Sequence, residues 1–468
     1  MSAVALIVLT IYVVRAFDSR RMPELAAEHR VFFDSEFSAA DEPTTDWARY
    51  LDIEQALQAE LSSKIPGDQR AANALDRYWP GGVTWPGKFD GNWNHSFELQ
   101  VPQPRGYAVL LHGLSDSPYT MLSTAQSLAG SGYGVIVPRM PGHGFAVSGL
   151  LQVGSADWLA AARIAIRHAM SRLAADHELL LVGYSNGGLI ALNYALSCGD
   201  FDGMRCPDRM LFLSPAISVT RSAAVANWHS AISWIPYFER FKWLGVYPEI
   251  DPFKFTSFPK KTGWEIHTLS KQTHELLQDN ERSERLPPIL TFQSVVDNTV
   301  SSSAVINTLY DRLPDNGSEL VLYDVNRNSS IVALMRQVPD DPVADLMSLA
   351  PLNYDVTILG NETNSGLRLQ ELRLAARSNE ILQRPTDLDW PFGIYSLSHI
   401  AIPFRPDDPL YGDGSGAGRL GPGLVLGNLA PRGELGVLLL TPSYFLRTRY
   451  NPFYRYQAQL IRNWLAAR

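Results

Sequence analysis

Residues 179–188 read Leu-Leu-Leu-Val-Gly-Tyr-Ser-Asn-Gly-Gly and run on into Leu189-Ile-Ala-Leu-Asn-Tyr-Ala-Leu196. A short apolar run meets a Gly-flanked serine and then an apolar run of helical character, which reads as strand, sharp turn and helix with Ser185 at the turn. Gly183 and Gly187 stand two residues either side of that serine. Side chains there would collide if the chain reversed tightly enough to expose the hydroxyl. Ser185 is therefore a candidate nucleophile, although Gly-x-Ser-x-Gly alone also describes many ordinary turns, and the surrounding chain has to supply the context.

Upstream of the turn, Tyr107–Leu111 is an apolar run ending in His112-Gly-Leu-Ser-Asp-Ser-Pro118, followed by a helical pattern at Met121, Leu122, Ala125 and Leu128. Tyr133-Gly-Val-Ile-Val-Pro138 is a further strand and ends in Arg139-Met-Pro-Gly-His-Gly144. A helical pattern from Trp158 to Leu173 leads back to the Ser185 strand. Alternating strands and helices imply right-handed crossovers and a mostly parallel sheet covered on both faces, an α/β fold. Met210–Pro215, Ile289–Ser294 and Leu320–Tyr323 supply more strands, and Trp93–Val101 alternates as an early one. Asp46–Ile65 repeats apolar residues at helical spacing, the pattern of an amphipathic helix packed outside the main domain.

Two stretches interrupt the alternation. Val219–Leu286 is rich in large aromatics, among them Trp228, Trp234 and Phe238. Because it follows a strand C-terminus, where open α/β sheets build their sites, it reads as an inserted helical cap whose aromatics bind substrate; a satellite core without a ligand role is the plainer reading. Arg327–Phe392 holds a strand-like run at Tyr354–Leu359 and a helical pattern near Leu367–Leu382. The expected divisions are 1–17 as a membrane anchor or signal-like segment, 18–90 as a helical extension, and 91–219 and 286–326 as core. Residues 220–285 are the cap, 327–392 a second insertion, and 393–468 the histidine loop with a C-terminal helix.

A serine hydroxyl needs a base to take its proton and a carboxylate to orient that base. Asp297 closes the run Ile289–Val296 and enters Asn-Thr-Val, a loop at a strand end; Asp324 and Asp311 are its rivals, and capping the helix that begins near Val300 is its structural alternative. His399, in Tyr395-Ser-Leu-Ser-His-Ile-Ala-Ile-Pro-Phe404, is the sole histidine after residue 274 and is the candidate general base. His112 and His143 lie in Gly-containing turns that suit structural hydrogen bonds. The developing oxyanion needs two oriented N–H donors, for which the amides of Leu114 and Asn186 are the candidates, with Ser115 as runner-up to Leu114.

His112-Gly-Leu, Pro138-Arg-Met-Pro-Gly-His-Gly144, Gly183-Tyr-Ser-Asn-Gly187, Asp297-Asn-Thr-Val300 and Ser398-His399 together resemble a serine hydrolase of the α/β-hydrolase superfamily. The resemblance is to the branch of monoacylglycerol lipases, lysophospholipases and bacterial carboxylesterases. It implies a cofactor-independent esterase or lipase acting on a lipid-like ester through a Ser-Asp-His triad. It covers Tyr107–Val325 and reaches His399 only across an excursion far longer than the usual loop. An amide or peptide hydrolase, such as a proline-releasing aminopeptidase, uses the same triad, and a catalytically silent binding protein would keep the fold.

Bulk properties bound these readings. The 468-residue chain is 46% hydrophobic and carries a formal charge of -8, with its Lys and Arg scattered, which argues against a nucleic-acid partner. No phosphate-binding Gly-rich loop accompanies the strands, so no nucleotide cofactor is expected, and Cys198 and Cys206 do not have the spacing of a zinc site. That pair suits a small disulfide loop in an oxidising compartment or two free thiols elsewhere. The acids around Gly412–Gly423 lack calcium-loop spacing, and the run reads as a flexible loop. Ala3–Val14 is apolar and followed by arginines, a marginal membrane attachment reaching to residue 17. With it goes the expectation of a membrane-associated protein with an extracytoplasmic catalytic domain, or otherwise a cytoplasmic one.

Overall fold

Strands β1 (Phe97–Leu99), β2 (Gly106–Leu111), β3 (Tyr133–Val137), β4 (Glu178–Tyr184) and β5 (Arg209–Leu213) open the sheet. A small hairpin, β6 (Trp243–Gly245) with β7 (Phe258–Pro259), stands apart from it, and β8 (Ile289–Ser294), β9 (Glu319–Tyr323), β10 (Asp355–Asn361), β11 (Arg368–Leu374) and β12 (Ile381–Asp389) complete it. The computed structural model describes residues 22–70, 73–218, 236–297, 299–328, 351–362, 366–427 and 445–467, with Leu334, Ser348 and Leu429 as isolated positions. The apolar segment 3–17, Trp228 and Trp234 lie outside them. Among the described residues no helix is long and apolar enough to cross a membrane.

The order across the ten-stranded sheet is β1-β3-β2-β4-β5-β8-β9-β10-β11-β12. From β3 to β10 all neighbours are parallel, and β1, β11 and β12 are antiparallel additions at the edges. Alternate side chains feed two cores. Val109, Leu111, Leu179, Leu181, Met210, Phe212, Leu320 and Leu322 enter one, whereas Ala108, Leu110, Leu180, Val182, Leu211, Leu213 and Val321 enter the other. A sheet buried on both faces needs runs such as Leu-Leu-Leu-Val rather than apolar-polar alternation, because both pleat directions meet helices.

Helices α1 (Trp47–Lys64), α2 (Leu122–Gly130), α3 (Ser155–Met170), α4 (Asn186–Ser197), α5 (Lys260–Leu277) and α6 (Tyr454–Ala466) provide the cover. α3, α4 and α5 face the first core and α2 and α6 the second. α1 does not sit outside the domain: Tyr50 is fully buried in the first core. The reason is electrostatic as well as apolar. Arg139, after β3, has no exposed surface, and its guanidinium lies 2.8 and 3.2 Å from the Glu36 carboxylate and 3.5 Å from Glu54 of α1. A cation so buried requires that compensation, and Tyr50 Oη donates to the Arg139 carbonyl at 2.6 Å.

The segment 327–392 departs from the sequence expectation. The pattern near Leu367–Leu382 forms strands β11 and β12 and not a helix. Leu369 and Leu374 are the buried residues of β11, and its backbone pairs with β10, which would otherwise present an open edge. The expected strand at Trp93–Val101 is confined to the three residues of β1. The Gly412–Gly423 run begins in an ordered turn. Asp408 is buried, accepts from the Leu410 and Tyr411 amides and takes the Tyr119 hydroxyl at 3.1 Å.

Among the described residues of the inserted segment after β5, helix is found mainly in α5, which lies against α4. Asn193 donates to Thr273 Oγ1 at 3.0 Å and Ser270 Oγ to the Ile217 carbonyl at 2.7 Å. Its described aromatics Phe241, Trp243, Phe253 and Phe255 are buried, three of them in two satellite clusters, while Tyr247 and Trp264 are exposed. The satellite-core reading thus describes this part of the insertion. Phe238 lies in the short helical turn Pro236–Lys242.

Candidate active site

The register lines up the C-terminal ends of the central strands: Leu111 pairs with Gly183, Tyr184 with Leu213 and Ser294 with Tyr323. Ser185, Asn186, the Leu114 turn and Asp297 follow strands that end on this edge. Ser185 follows β4 with φ 51° and ψ −116°, a backbone conformation that L-residues rarely adopt and that costs about 1–3 kcal/mol. It is held there because its N–H donates to the Leu213 carbonyl at 3.1 Å and its own carbonyl accepts from Gly188 and Ala216. A Cβ on Gly183 would stand 2.4 Å from Gly188 Cα, and one on Gly187 2.0 Å from the Leu111 carbonyl oxygen. Both glycines are therefore demanded by close backbone approach. Ser185 is half-buried between fully buried neighbours, so its hydroxyl has access that they lack.

The turn after β2 carries the second candidate amide. His112 Nε2 accepts from the Met140 N–H at 3.0 Å, which leaves Nδ1–H to donate to the Gly113 carbonyl at 2.9 Å. In a trans peptide the Leu114 N–H then points opposite to the pinned carbonyl. His112 is buried and its pKa is far below the usual histidine value, through burial first and His143 second, so this neutral tautomer persists. Asn186 opens α4, where first-turn amides have no helical acceptor and the helix dipole is positive. Its own side chain is buried, with neither polar atom hydrogen-bonded to the described protein.

Asp297 follows β8 by three residues. Its Oδ1 accepts from the Thr299 and Val300 amides at 2.8 and 3.0 Å, and its Oδ2 from Gln293 Nε2 at 3.2 Å. Burial raises its pKa while those hydrogen bonds oppose the rise. The neighbouring short helix is capped by Ser301, so capping is not the role of Asp297. Its rivals are otherwise engaged: Asp324 accepts two hydrogen bonds from Arg327 at 2.6 and 2.8 Å, and Asp311 sits in a short turn of helix, Tyr310–Arg312.

His399 lies on the turn His399–Ala401, with Nδ1 3.6 Å from Asp297 Oδ1. The long excursion does not prevent this approach, because its ends are clasped. The Asn326 N–H donates to the Tyr395 carbonyl at 2.8 Å and Asn326 Nδ2 to the Ile394 carbonyl at 3.3 Å. Three strands extend the sheet, and the chain returns to where it left. Leu397, Ala401 and Ile402 are fully buried, and Gln457 of α6 donates to the Ile402 carbonyl at 3.1 Å, anchoring the turn. The imidazole stacks on Tyr184, the residue before Ser185, with ring centroids 6.3 Å apart. Burial, then Lys254 and Arg447, hold its pKa down at about 3, so it rests neutral.

Two neighbours, Lys254 and Arg447, carry no motif. Lys254, in the insertion, is 2.8 Å from buried Asp116 in the Leu114 turn, and the Phe255 N–H donates to the Ser115 carbonyl at 2.8 Å. The insertion thereby braces the turn that presents the Leu114 amide. Arg447 donates to Thr299 Oγ1 at 3.3 Å and lines, with Asp297 and His399, a cavity of about 330 Å³. Among the described residues no group of three or more His, Cys, Asp or Glu side chains is arranged to hold a metal ion. Cys198 and Cys206, at the far end of α4, are joined as a disulfide with Cα atoms 5.3 Å apart.

A family model described as serine aminopeptidase, S33, matches residues 102–327, just under half of the chain. With the parallel sheet and the strained serine turn, this gives the chain the α/β-hydrolase fold. No curated protein is significantly similar to the chain. Among solved structures, one described with LipS and LipT, two metagenome-derived lipolytic enzymes, is 19% identical. It covers 50% of this chain and 87% of its own, with a TM-score of 0.40. A monoacylglycerol lipase of Paleococcus ferrophilus is 19% identical over 49% of this chain and 88% of its own, with a TM-score of 0.37. A soluble variant of the monoglyceride lipase of Saccharomyces cerevisiae is 16% identical over 49% and 89%, with a TM-score of 0.34.

Proposed function

We propose that the protein is a serine-dependent carboxylic ester hydrolase of the esterase or lipase type, working without a cofactor through an acyl-enzyme. Ser185 Oγ attacks the ester carbonyl as His399 takes its proton, and the Leu114 and Asn186 amides receive the oxyanion. His399 returns the proton to the departing alcohol, Asp297 stabilises the imidazolium, and water repeats the cycle on the acyl-enzyme. The observation that carries this reading is Ser185 at φ 51° on the edge of the sheet from which Asp297 and His399 approach each other to 3.6 Å. A medium or long acyl chain is the proposed substrate part, on the family resemblance.

An aminopeptidase is the second reading, favoured by the description of the matching family. A peptide amine arrives as a cation, and the charges that most perturb His399 are the cations Lys254 and Arg447, which favour the ester. The disulfide supports an extracytoplasmic catalytic domain, for which residues 3–17 would supply the membrane attachment. The test is labelling by a fluorophosphonate probe combined with hydrolysis of a p-nitrophenyl ester series and aminoacyl p-nitroanilides. Expected are labelling abolished by Ser185→Ala and esters of longer acids preferred over acetate. An unlabelled wild type, or labelling that survives Ser185→Ala, would overturn the proposal.

A further inference from the structure

We infer that the protein carries a second binding site, for a neutral sugar ring, between α1 and the segment that leads from α1 to β1. The site goes beyond the ester-hydrolase reading and does not depend on it. It is a cavity of about 590 Å³ whose lining includes none of Ser185, Asp297 and His399, and its volume falls in the range of small-molecule sites. The charged residues of the lining are Arg77 and Asp68, of opposite sign, and the walls between them carry aromatic rings and amides. An ion of either sign would meet one charge of its own sign, and an acyl chain would strand the amides. A pyranose has an apolar C–H face for an aromatic ring and hydroxyls for the amides.

The sequence presets the ring. Trp79-Pro-Gly81 recurs as Trp85-Pro-Gly87, and a Cβ on Gly87 would stand 2.7 Å from the Trp85 indole, so the indole folds back on its own glycine. Trp85 is half-buried in the cavity wall, and among the described residues its indole N–H has no acceptor and its ring no aromatic partner. A ring held this way is a platform that loses little freedom when a ligand stacks on it.

The polar walls have valences to fill. Asn94, 4% exposed, gives Nδ2 to the Pro252 carbonyl at 2.9 Å, while its Oδ1 has no donor among the described residues. Tyr78, 7% exposed, keeps its hydroxyl without a partner among them. Groups left so cost about 1–3 kcal/mol each, which ligand hydroxyls bonded to them would offset. Gln58 Oε1 meets His95 Nε2 at 3.4 Å, which leaves the Gln58 amide nitrogen to donate, and Asn92 is exposed at the rim. Arg77, in contrast, is engaged: its Nη2 donates to the Gly144 carbonyl at 2.8 Å and its guanidinium lies 5.1 Å over the Phe255 ring.

The experiment titrates the full chain by calorimetry and tryptophan fluorescence with the methyl glycosides of glucose, mannose, galactose and N-acetylglucosamine, and with cellotetraose, mannotetraose, galactotetraose and chitotetraose. Sodium octanoate and inorganic phosphate are the apolar and anionic comparators. At least one sugar is expected to bind saturably and to change the fluorescence. A tetramer that binds more tightly than its methyl glycoside points to a glycan chain, and equal affinities to a single sugar. Trp85→Ala should weaken binding about tenfold, through the lost stacking partner, and Trp85→Phe should restore part of it. Asn92→Ala and Gln58→Ala should each weaken it about fivefold, by one hydrogen bond. Circular dichroism checks the fold of each variant, and exposed Asn92 supplies a test that does not touch the core. The inference is overturned if none of the eight sugars binds saturably, if octanoate or phosphate binds there more tightly than every sugar, or if sugar binding is indifferent to both Trp85→Ala and Asn92→Ala.

Discussion

Replacing Asp297 by Asn separates the charge of this residue from its shape. Oδ1 of the asparagine can still accept from Thr299 and Val300, so the loop keeps the two bonds now at 2.8 and 3.0 Å. The new Nδ2 faces Gln293 Nε2, a donor against a donor, where Oδ2 accepts at 3.2 Å in the native protein. A flip of the Gln293 amide would relieve this by turning Oε1, buried without a partner, toward Nδ2. The same flip gives up its contacts to Ser294 and Ser302 at 3.4 and 3.3 Å. The net loss is one hydrogen bond without the flip and two with it, about 1–2 kcal/mol of stability. The catalytic loss is far larger, because the imidazolium loses its neighbouring anion and faces a neutral amide oxygen in its place; that substitution in a working triad lowers kcat by about 10⁴, about 5 kcal/mol of barrier at 1.36 kcal/mol per decade. Thermal unfolding followed by circular dichroism and steady-state hydrolysis of p-nitrophenyl octanoate measure the two effects on one preparation. Activity within tenfold of wild type in a folded Asp297→Asn protein would refute the role of Asp297, and Asp324 would become the carboxylate to test.

Gly187→Ala places a methyl 2.0 Å from the Leu111 carbonyl oxygen and 2.8 Å from that of His112. Backbone must move, so a stability loss of about 1–3 kcal/mol or more and a matching fall in turnover are expected. Gly199→Ala, with nothing within 4 Å of its Cβ, is the control, and equal unfolding midpoints for the two would count against the turn geometry. The acid limb of kcat/KM is expected well below the ordinary histidine range. His399 must be neutral to act as base, and burial, Lys254 and Arg447 lower its pKa while Asp297 at 3.6 Å pulls the other way. Activity should hold from pH 8 down through 6.5, and a half-maximum at 6.5 or above would show that those influences are wrongly weighed. Reducing the Cys198–Cys206 bridge frees a loop with sequence separation 8. The chain-entropy relation then gives a loss of about 2.5 kcal/mol. An unfolding midpoint indifferent to reductant and to Cys198→Ser would contradict it.

What the sequence determined by itself is local. The serine turn is signalled by Gly183, whose missing side chain is demanded by Gly188 five residues on, while the demand at Gly187 comes from the distant Leu111 carbonyl; the doubly buried strands follow from apolar runs such as Leu179–Val182. Asp297, at a strand end, and His399, alone after residue 274, are legible as candidates. The tertiary structure decided what depends on distant partners. The pattern at Leu367–Leu382 suits a helix as well as strands, and the open edge of β10 selects strands through backbone pairing. Glu36 and Glu54 carry no local signal, yet Arg139 draws both, and with them α1, into the core. Lys254 and Arg447 reach the site from segments without motifs, because a single charge becomes meaningful only when the fold gives it a neighbour. The clasp from Asn326 to Tyr395 closes an excursion whose course no spacing rule could predict, since chain length sets only the reach of a loop and hydrogen bonds between its ends set its return.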